Sequence, residues 1–337
     1  MELGLKMEIH GESIDELIRA SLCLLFSQGK ENTPTKGKNL ELTGVLLTLS
    51  NPLNRISRTE TKNTLFSCLG ELFWYLSGSD NVDHMIYYLS NYSRYAESDG
   101  TVGGAYGPRL LGTHNSVNQL ENVISILEQK PSSRQAVIQI FDKYDLVNRK
   151  NDIPCTQTLQ FILRDNLLEL IVTMRSNDVF RGLPHDIFCF TMLQELVAKE
   201  LSVRFGKEIC LGNYKHFVGS FHVYEEDFEH VESYQQEGYP SIQPIMTSMP
   251  LESYRLLNGV VKMEKKIRES QQSGAFESEF PNYWSDLTML LLIFNTYKQN
   301  STNSLLRIKQ LMANLTNKGY KPVVQKLLDK LGNKNDK

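Results

Sequence analysis

The chain has 337 residues, of which 41% are apolar and 22% charged, the make-up of a soluble globular protein with a large core rather than of a disordered or fibrous one. A formal net charge of −3 supplies no global basic field to draw it onto nucleic acid or an anionic membrane, and apolar runs such as MLLLIF at 289–294 are too short to span a bilayer. Five cysteines (Cys23, Cys68, Cys155, Cys189 and Cys210), none in a CxxC spacing, argue against a disulfide framework or a metal site and for a reducing cytoplasm, and the charged N-terminus is not a signal peptide.

Residues 12–29 carry apolar side chains at helical spacing and stop at Gly29, which predicts a helix. Residues 31–39, ENTPTKGKN, read as a polar loop, and 40–50 as a strand. A strongly apolar helix is predicted over 61–78, a glycine-rich loop over 99–112, and a helix followed by a turn over 116–134. Strands are predicted at 135–141, 156–163 and 167–174, the last two joined by RDN as a hairpin. A long helix at 186–206 and a strand at 208–224 follow, then helical runs from about Leu251 and a disordered NKNDK tail. This order predicts an α+β fold, with a mixed core over 1–250 and a helical C-terminal extension over 251–337.

Cys155 follows a proline at the head of a strand, where a side chain can face a cleft; the other four cysteines lie in apolar patterns and read as buried and inert. A thiol becomes a useful nucleophile when nearby cations favour the thiolate, and Arg175 and Arg134 are candidates, although most arginines are solvated surface charges. Glu71, in CLGELFWYL, needs either a structural partner or a role, because burying an unpaired acid is costly. His222 and Tyr224 are two apart on a strand and share a face, a spacing equally met in plain packing. The lysines of PTKGKN could cradle a phosphate.

Taken in order, GELFWYLSG (70–78), GAYGPR (104–109), PSSRQ (131–135), Pro154–Cys155, RSNDVFRGLP (175–184) and GSFHVY (219–224) resemble the thymidylate synthase superfamily. The resemblance implies an α/β sandwich, a homodimer, and a pyrimidine nucleoside monophosphate as substrate with 5,10-methylenetetrahydrofolate. Carried over by position, Cys155 looks like the nucleophile that adds to C6 of the base. Arg175 and Ser176 look like phosphate ligands, with Arg175 also lowering the pKa of the thiol. Arg134 looks like the phosphate arginine donated across the dimer, and Lys36 or Lys38 occupies the region of the phosphate-loop arginine. Glu71 and Tyr106 resemble the proton-relay acid and its tyrosine. Asp178 resembles the folate-pterin ligand, with Tyr92 and Gly182 also on the folate side, and His222 and Tyr224 the sugar-hydroxyl ligands.

The chain departs from the usual pattern at Thr156, where a histidine is usual, at Met174, usually glutamine, and at Gln135, usually a second arginine. Tyr92 and Tyr95 stand roughly where two tryptophans are expected. The largest departure is Asp186, at the position of the uracil-reading asparagine. Uracil presents N3–H beside an accepting O4; cytosine presents an accepting N3 beside an amine. A protonated carboxyl can donate to N3 and accept from the amine. An ionised one can accept from both once N3 gains a proton as the thiol adds to C6. Facing uracil, an ionised Asp186 would meet O4 acceptor to acceptor, at a cost of about 1–3 kcal/mol. The plainer reading is that Asp186 caps the helix beginning there. The Cys155–Thr156 pair, the MRSND run (174–178) and the aspartate also resemble the deoxycytidylate hydroxymethylases. The expectation is folate-dependent C5 hydroxymethylation of dCMP or CMP, water rather than hydride being admitted beside Tyr92 and Tyr95. Methylation of dUMP and a catalytically silent nucleotide binder are the alternatives.

Overall fold

The computed structural model describes residues 7–59, 61–112, 117–147, 150–238, 246–270 and 280–335. Strand β1 (Glu8–Gly11) leads into α1 (Ile14–Gln28), whose first turn is closed by Ser13 Oγ accepting from the Glu16 amide. β2 (Lys30–Asn32) pairs antiparallel with β3 (Asn39–Leu49), so the stretch predicted as a loop over 31–39 begins as a strand and only its middle, with Lys36, is loop. α2 (Leu65–Ser77) and α3 (Val82–Tyr88) follow. α4 (Tyr106–Leu111) rises from the segment predicted as glycine-rich loop, and α5 (Gln119–Gln129) leads to β4 (Val137–Gln139), shorter than predicted.

β5 (Thr156–Arg164) and β6 (Leu167–Asp178) form the expected hairpin. Its two turn residues, Asp165 and Asn166, have φ of 48° and 61°, the left-handed pair that matches the twist of the flanking strands. β6 runs on past Met174 through Arg175, Ser176, Asn177 and Asp178, residues of poor strand propensity. It does so because β7 (Cys210–Tyr224) continues beside it, Ser176 opposite Ser220 and Asp178 opposite His222. Between them α6 (Leu183–Phe205) makes the crossover of a parallel β–α–β unit; it starts at Leu183 rather than at 186, with Pro184 in the first turn, where a missing N–H costs nothing. The sheet order is β1-β3-β7-β6-β5-β4, with β2 beside β3.

After α7 (Phe228–Gln236) come α8 (Ser253–Glu269), α9 (Asn282–Gln299), α10 (Ser304–Asn314) and α11 (Lys321–Asn335), the last running to Asn335 into the tail expected to be disordered. α8 and α9 pack on α2 and α6 within one apolar core. Phe294 stacks on Phe66 at 5.3 Å and on Tyr88 at 5.4 Å. Glu195 of α6 pairs with Arg55 at 2.5 Å, both fully buried, and accepts from Ser248 Oγ at 2.9 Å and the Met249 amide at 2.7 Å. The architecture is thus α+β with a helical C-terminal region, as the sequence predicts. All five cysteines are free thiols; Cys68 and Cys189 are buried, but Cys23 and Cys210 are exposed, on the outer side of α1 and at the start of β7, which corrects their reading as buried. Among the described residues, no helix is long and apolar enough to cross a membrane.

Candidate active site

The β5–β6 hairpin sets Cys155 against Arg175 at its open end. The Arg175 amide donates to the Cys155 carbonyl at 2.8 Å, and its guanidinium donates to the carbonyls of Pro154 at 2.9 Å and Ile153 at 2.8 Å. Arg175 therefore braces the chain that presents the thiol. The thiol pKa is not lowered overall, however. Burial pushes it up, and the opposing charges of Arg175 and Lys36 only partly offset this, with Asp152 and Asp186 adding to the rise.

Tyr106, first residue of α4, accepts at its hydroxyl from the Thr156 amide at 3.1 Å and from Thr156 Oγ1 at 3.0 Å. Glu71 projects from α2, and Tyr75, one turn on, donates to its Oε1 at 2.6 Å. The rings of Tyr75 and Tyr106 pack at 5.1 Å, and Tyr106 lies nearly parallel to Phe190 at 6.3 Å. Burial raises both phenols well above the ordinary tyrosine range.

Asp186 is not a cap. The N-cap of α6 is Gly182, without a side-chain capping bond, and Asp186 is the fourth helical residue, its own amide donating to Gly182 O at 3.1 Å. Its buried carboxyl accepts at Oδ2 from Asn177 Nδ2 at 2.6 Å. Burial first, and then the charge of Glu71, push Asp186 well above the usual carboxylate range, while the Asn177 bond pulls the other way. Of the two protonation states open to it, the neutral one is the one the pocket favours. Beside it, His185 Nδ1 faces the Arg181 carbonyl at 3.0 Å and Nε2 faces Ser67 Oγ at 2.9 Å; burial lowers its pKa, so Nδ1 carries the proton and Nε2 accepts.

On the neighbouring side, Asp178 Oδ1 accepts from the amides of Phe180 and Arg181, both at 2.7 Å. Its Oδ2 is buried with no hydrogen-bond partner among the described residues, and burial raises its pKa. His222, opposite Asp178 in the sheet, meets Tyr224 edge to face at 5.0 Å, so the pair shares a face as its spacing predicts. Lys62 donates to the Phe180 carbonyl and lies over its ring at 3.4 Å; burial lowers it to about 8. A side chain at Gly182 would touch the Asp178 carbonyl, Asp186 Oδ2 and Asn177 Nδ2 at 3.4–3.6 Å, so Gly182 sits between the two acids.

Of the two loop lysines, Lys36 is the one brought to the cluster: its Nζ lies 4.9 Å above the Tyr95 ring, 3.4 Å from that hydroxyl, and its charge reaches Cys155 and Asp152. Lys38 fixes the loop through its carbonyl, which accepts from the Glu225 amide at 3.0 Å. Tyr92 packs edge-on against Trp74 at 5.6 Å and Tyr95 at 5.0 Å. Ser176 is half-buried on β6, and Arg134 is exposed before β4; no described contact brings Arg134 to the thiol of its own chain.

Three site residues escape the sequence reading. Tyr75 is signalled only by its four-residue spacing from Glu71. Asp152, three residues before the thiol, packs against Gly104, where any Cβ would collide with its carboxylate. Burial raises it to about 6 against the pull of Lys36, Arg175 and Arg109. Asn177 carries no signal at all. A separate cavity, lined by Arg109, Asp142, Asp145 and Lys150 among others, includes neither Cys155 nor Asp186.

Comparison with known proteins places these residues in context. The profile of the family described as "Thymidylate synthase" matches residues 27–252, a span that holds every site residue named above. The chain is 27% identical over 231 residues to the deoxyuridylate hydroxymethyltransferase of Bacillus phage SP01, covering 65% of this chain and 59% of that protein. It is 28% identical over 160 residues to the thymidylate synthase of Buchnera aphidicola subsp. Baizongia pistaciae, covering 46% of this chain and 58% of that protein. The chain thus spans less than two thirds of the length of either relative.

Proposed function

The chain belongs to the thymidylate synthase family, and from that premise we propose that it transfers a one-carbon unit from 5,10-methylenetetrahydrofolate to C5 of a cytosine nucleoside monophosphate, dCMP or CMP, leaving a hydroxymethyl group. The observation that carries this reading is Asp186: a buried carboxyl, driven toward its neutral form, at the position that the resemblance assigns to the base-reading asparagine. A neutral carboxyl can turn its donor to N3 and its acceptor to the 4-amino group of cytosine.

In this reading Cys155 sulfur adds to C6 of the base, with Arg175 countering the effect of burial on the thiol. Arg175, Ser176 and Lys36 hold the phosphate, joined by the partner's Arg134 in a homodimer. The face of β6 and β7 opposite the buried Val172, Met174, Tyr214 and Val218 carries part-exposed Ile171, Thr173, Lys215 and Phe217, a surface that a second copy would cover. Glu71, held by Tyr75, and Tyr106, held by Thr156, stand as proton carriers beside the base. His222 and Tyr224 take the sugar hydroxyl.

The folate supplies the carbon at the methylene oxidation level. The residues fit it: Asp178 Oδ2, buried and without a described partner, is an acceptor for a ring N–H, with Gly182 close by, and the resemblance puts Tyr92 on the folate side as well. Asp152, whose charge reaches the thiol, and Tyr92, within reach of Asp152, put polar groups on this side of the site, which supports capture of water rather than hydride. The name of the phage relative, a hydroxymethyltransferase, supports the same product.

That name also favours a second reading, in which the base is uracil. The test is tritium release from C5-labelled dCMP, CMP and dUMP with methylenetetrahydrofolate. Release from a cytosine nucleotide, abolished in Cys155→Ala, is expected, and product mass separates hydroxymethyl from methyl. Release from dUMP alone would sink the cytosine assignment, and release from none would indicate a silent binder.

A further inference from the structure

Two departures from the family pattern, Met174 and Asp186, meet in space through Asn177. Met174, Asn177 and Asp186 are all buried, and the amide of Asn177 lies between the other two, its Nδ2 3.3 Å from Met174 Sδ and 2.6 Å from Asp186 Oδ2. A thioether sulfur only accepts, so the nitrogen end of the amide belongs on this side and both its hydrogens are used. Gly182 lies beside the pair, where an added Cβ would reach Oδ2 at 3.5 Å and Nδ2 at 3.6 Å.

We propose that Asn177 is a specificity-determining residue: by donating to Oδ2 of Asp186 it confines the acid's proton to Oδ1 and fixes a single donor–acceptor order on the edge that meets the base. The inference rests on Asp186 reading the base and extends it. A neutral carboxyl by itself does not choose between pyrimidines. With the proton on one oxygen it matches cytosine; with the proton on the other, or after a half-turn of the group, it matches uracil equally well. Burial favours the protonated form of Asp186, and the amide bond favours one oxygen as its holder. In the cytosine reading, Oδ2 accepts from the 4-amino group with its remaining lone pair while Oδ1–H donates to N3. Met174 acts one step further out, as the acceptor that keeps the amide from turning over.

A structural role and a positioning role part company in the substrate ratio. A merely loosened pocket lowers both bases alike, whereas a freed proton lets the disfavoured base in. The experiment measures kcat/KM for tritium release, and equilibrium dissociation constants by calorimetry, for dCMP, CMP and dUMP with the full-length wild type, Asn177→Leu and Met174→Leu. Asn177→Leu, alike in branching and unable to donate, is expected to shift the cytosine-to-uracil ratio at least tenfold toward unity; Met174→Leu is expected to shift it the same way by a smaller factor. If the wild type prefers uracil, the cytosine assignment fails, yet the ratio in Asn177→Leu still tests the role of Asn177. If no nucleotide is turned over, the ratio of dissociation constants is read instead. A folded Asn177→Leu, or Met174→Leu should the first variant not fold, that keeps the wild-type ratio within threefold while activity or binding falls overturns the proposal.

Discussion

The Tyr106 hydroxyl accepts two hydrogen bonds from a single residue, Thr156, one from its amide at 3.1 Å and one from its Oγ1 at 3.0 Å. Both lone pairs are thereby occupied, so the phenolic proton is left to point elsewhere in the site. Thr156 is fully buried. Tyr106→Phe strands its amide and hydroxyl together, and the expected loss is about 1–3 kcal/mol in a urea melt, with a fall in turnover. Thr156→Val removes only the second bond and is expected to cost less. A Tyr106→Phe protein as stable as the wild type would show that neither bond matters.

The thiol balance makes a chemical prediction. With burial outweighing Arg175, Cys155 of the free protein is expected to alkylate more slowly at pH 7 than the exposed Cys23 and Cys210, and to speed up as pH rises beyond the ordinary thiol range. Arg175→Ala should slow it further at any one pH by removing the largest opposing charge. Peptide mapping after timed iodoacetamide exposure reads this directly. Cys155 labelled ahead of Cys23 at pH 7 would mean that the thiolate is already formed in the free protein.

Asp152 links stability to pH. Its pKa rises from an ordinary carboxylate value to about 6 on folding, so between roughly pH 4 and pH 6 the native state holds a proton that the unfolded chain has released. Stability from this group therefore falls as pH rises through that window and stays low above it. Asp152→Asn is expected to gain on the order of 1–2 kcal/mol at pH 8 and almost nothing below pH 4. Thermal melts at pH 8 and pH 4 compare the two, and an equal gain at both would remove the titration as its cause.

Glu195 and Arg55 form a fully buried pair that joins α6 to the segments before α2 and before α8. Glu195→Ala leaves the Arg55 charge uncompensated and is expected to cost about 3–5 kcal/mol, whereas replacing both with apolar residues of similar volume should cost far less. Guanidinium unfolding of the single and double variants distinguishes the two. Equal losses would mean that packing, not charge, is what the pair supplies.

Some of this architecture is legible from the chain and some is not, for physical reasons. The Asp165–Asn166 turn is readable because both residue types tolerate a left-handed backbone between two apolar runs. Asp186 is readable because its neighbours fix its position, and the pairing of His222 with Tyr224 follows from the strand period. The end of β6 is not: Ser176, Asn177 and Asp178 are poor strand formers held extended by β7, more than thirty residues away in the chain. Asn177 gives no sign of itself, since its partner is set by how a strand end meets a helix start. The rise in the Cys155 pKa is likewise invisible, because a cation can be read from sequence but the depth of burial cannot.

The two-residue turn between β5 and β6 has a consequence for how the protein comes to be assembled. Cys155 and Arg175 are twenty residues apart in the chain, but one hairpin brings them together, so closing that contact costs only the entropy of a short loop. Glu71 and Asp186 reach the same place from α2 and α6 only after long stretches of chain have been ordered. Contacts that close short loops come cheaply and early, whereas those across long ones wait for the rest of the fold. A nascent chain thus pairs its thiol with its arginine by a local act and completes the side of the pocket that holds Glu71 and Asp186 last.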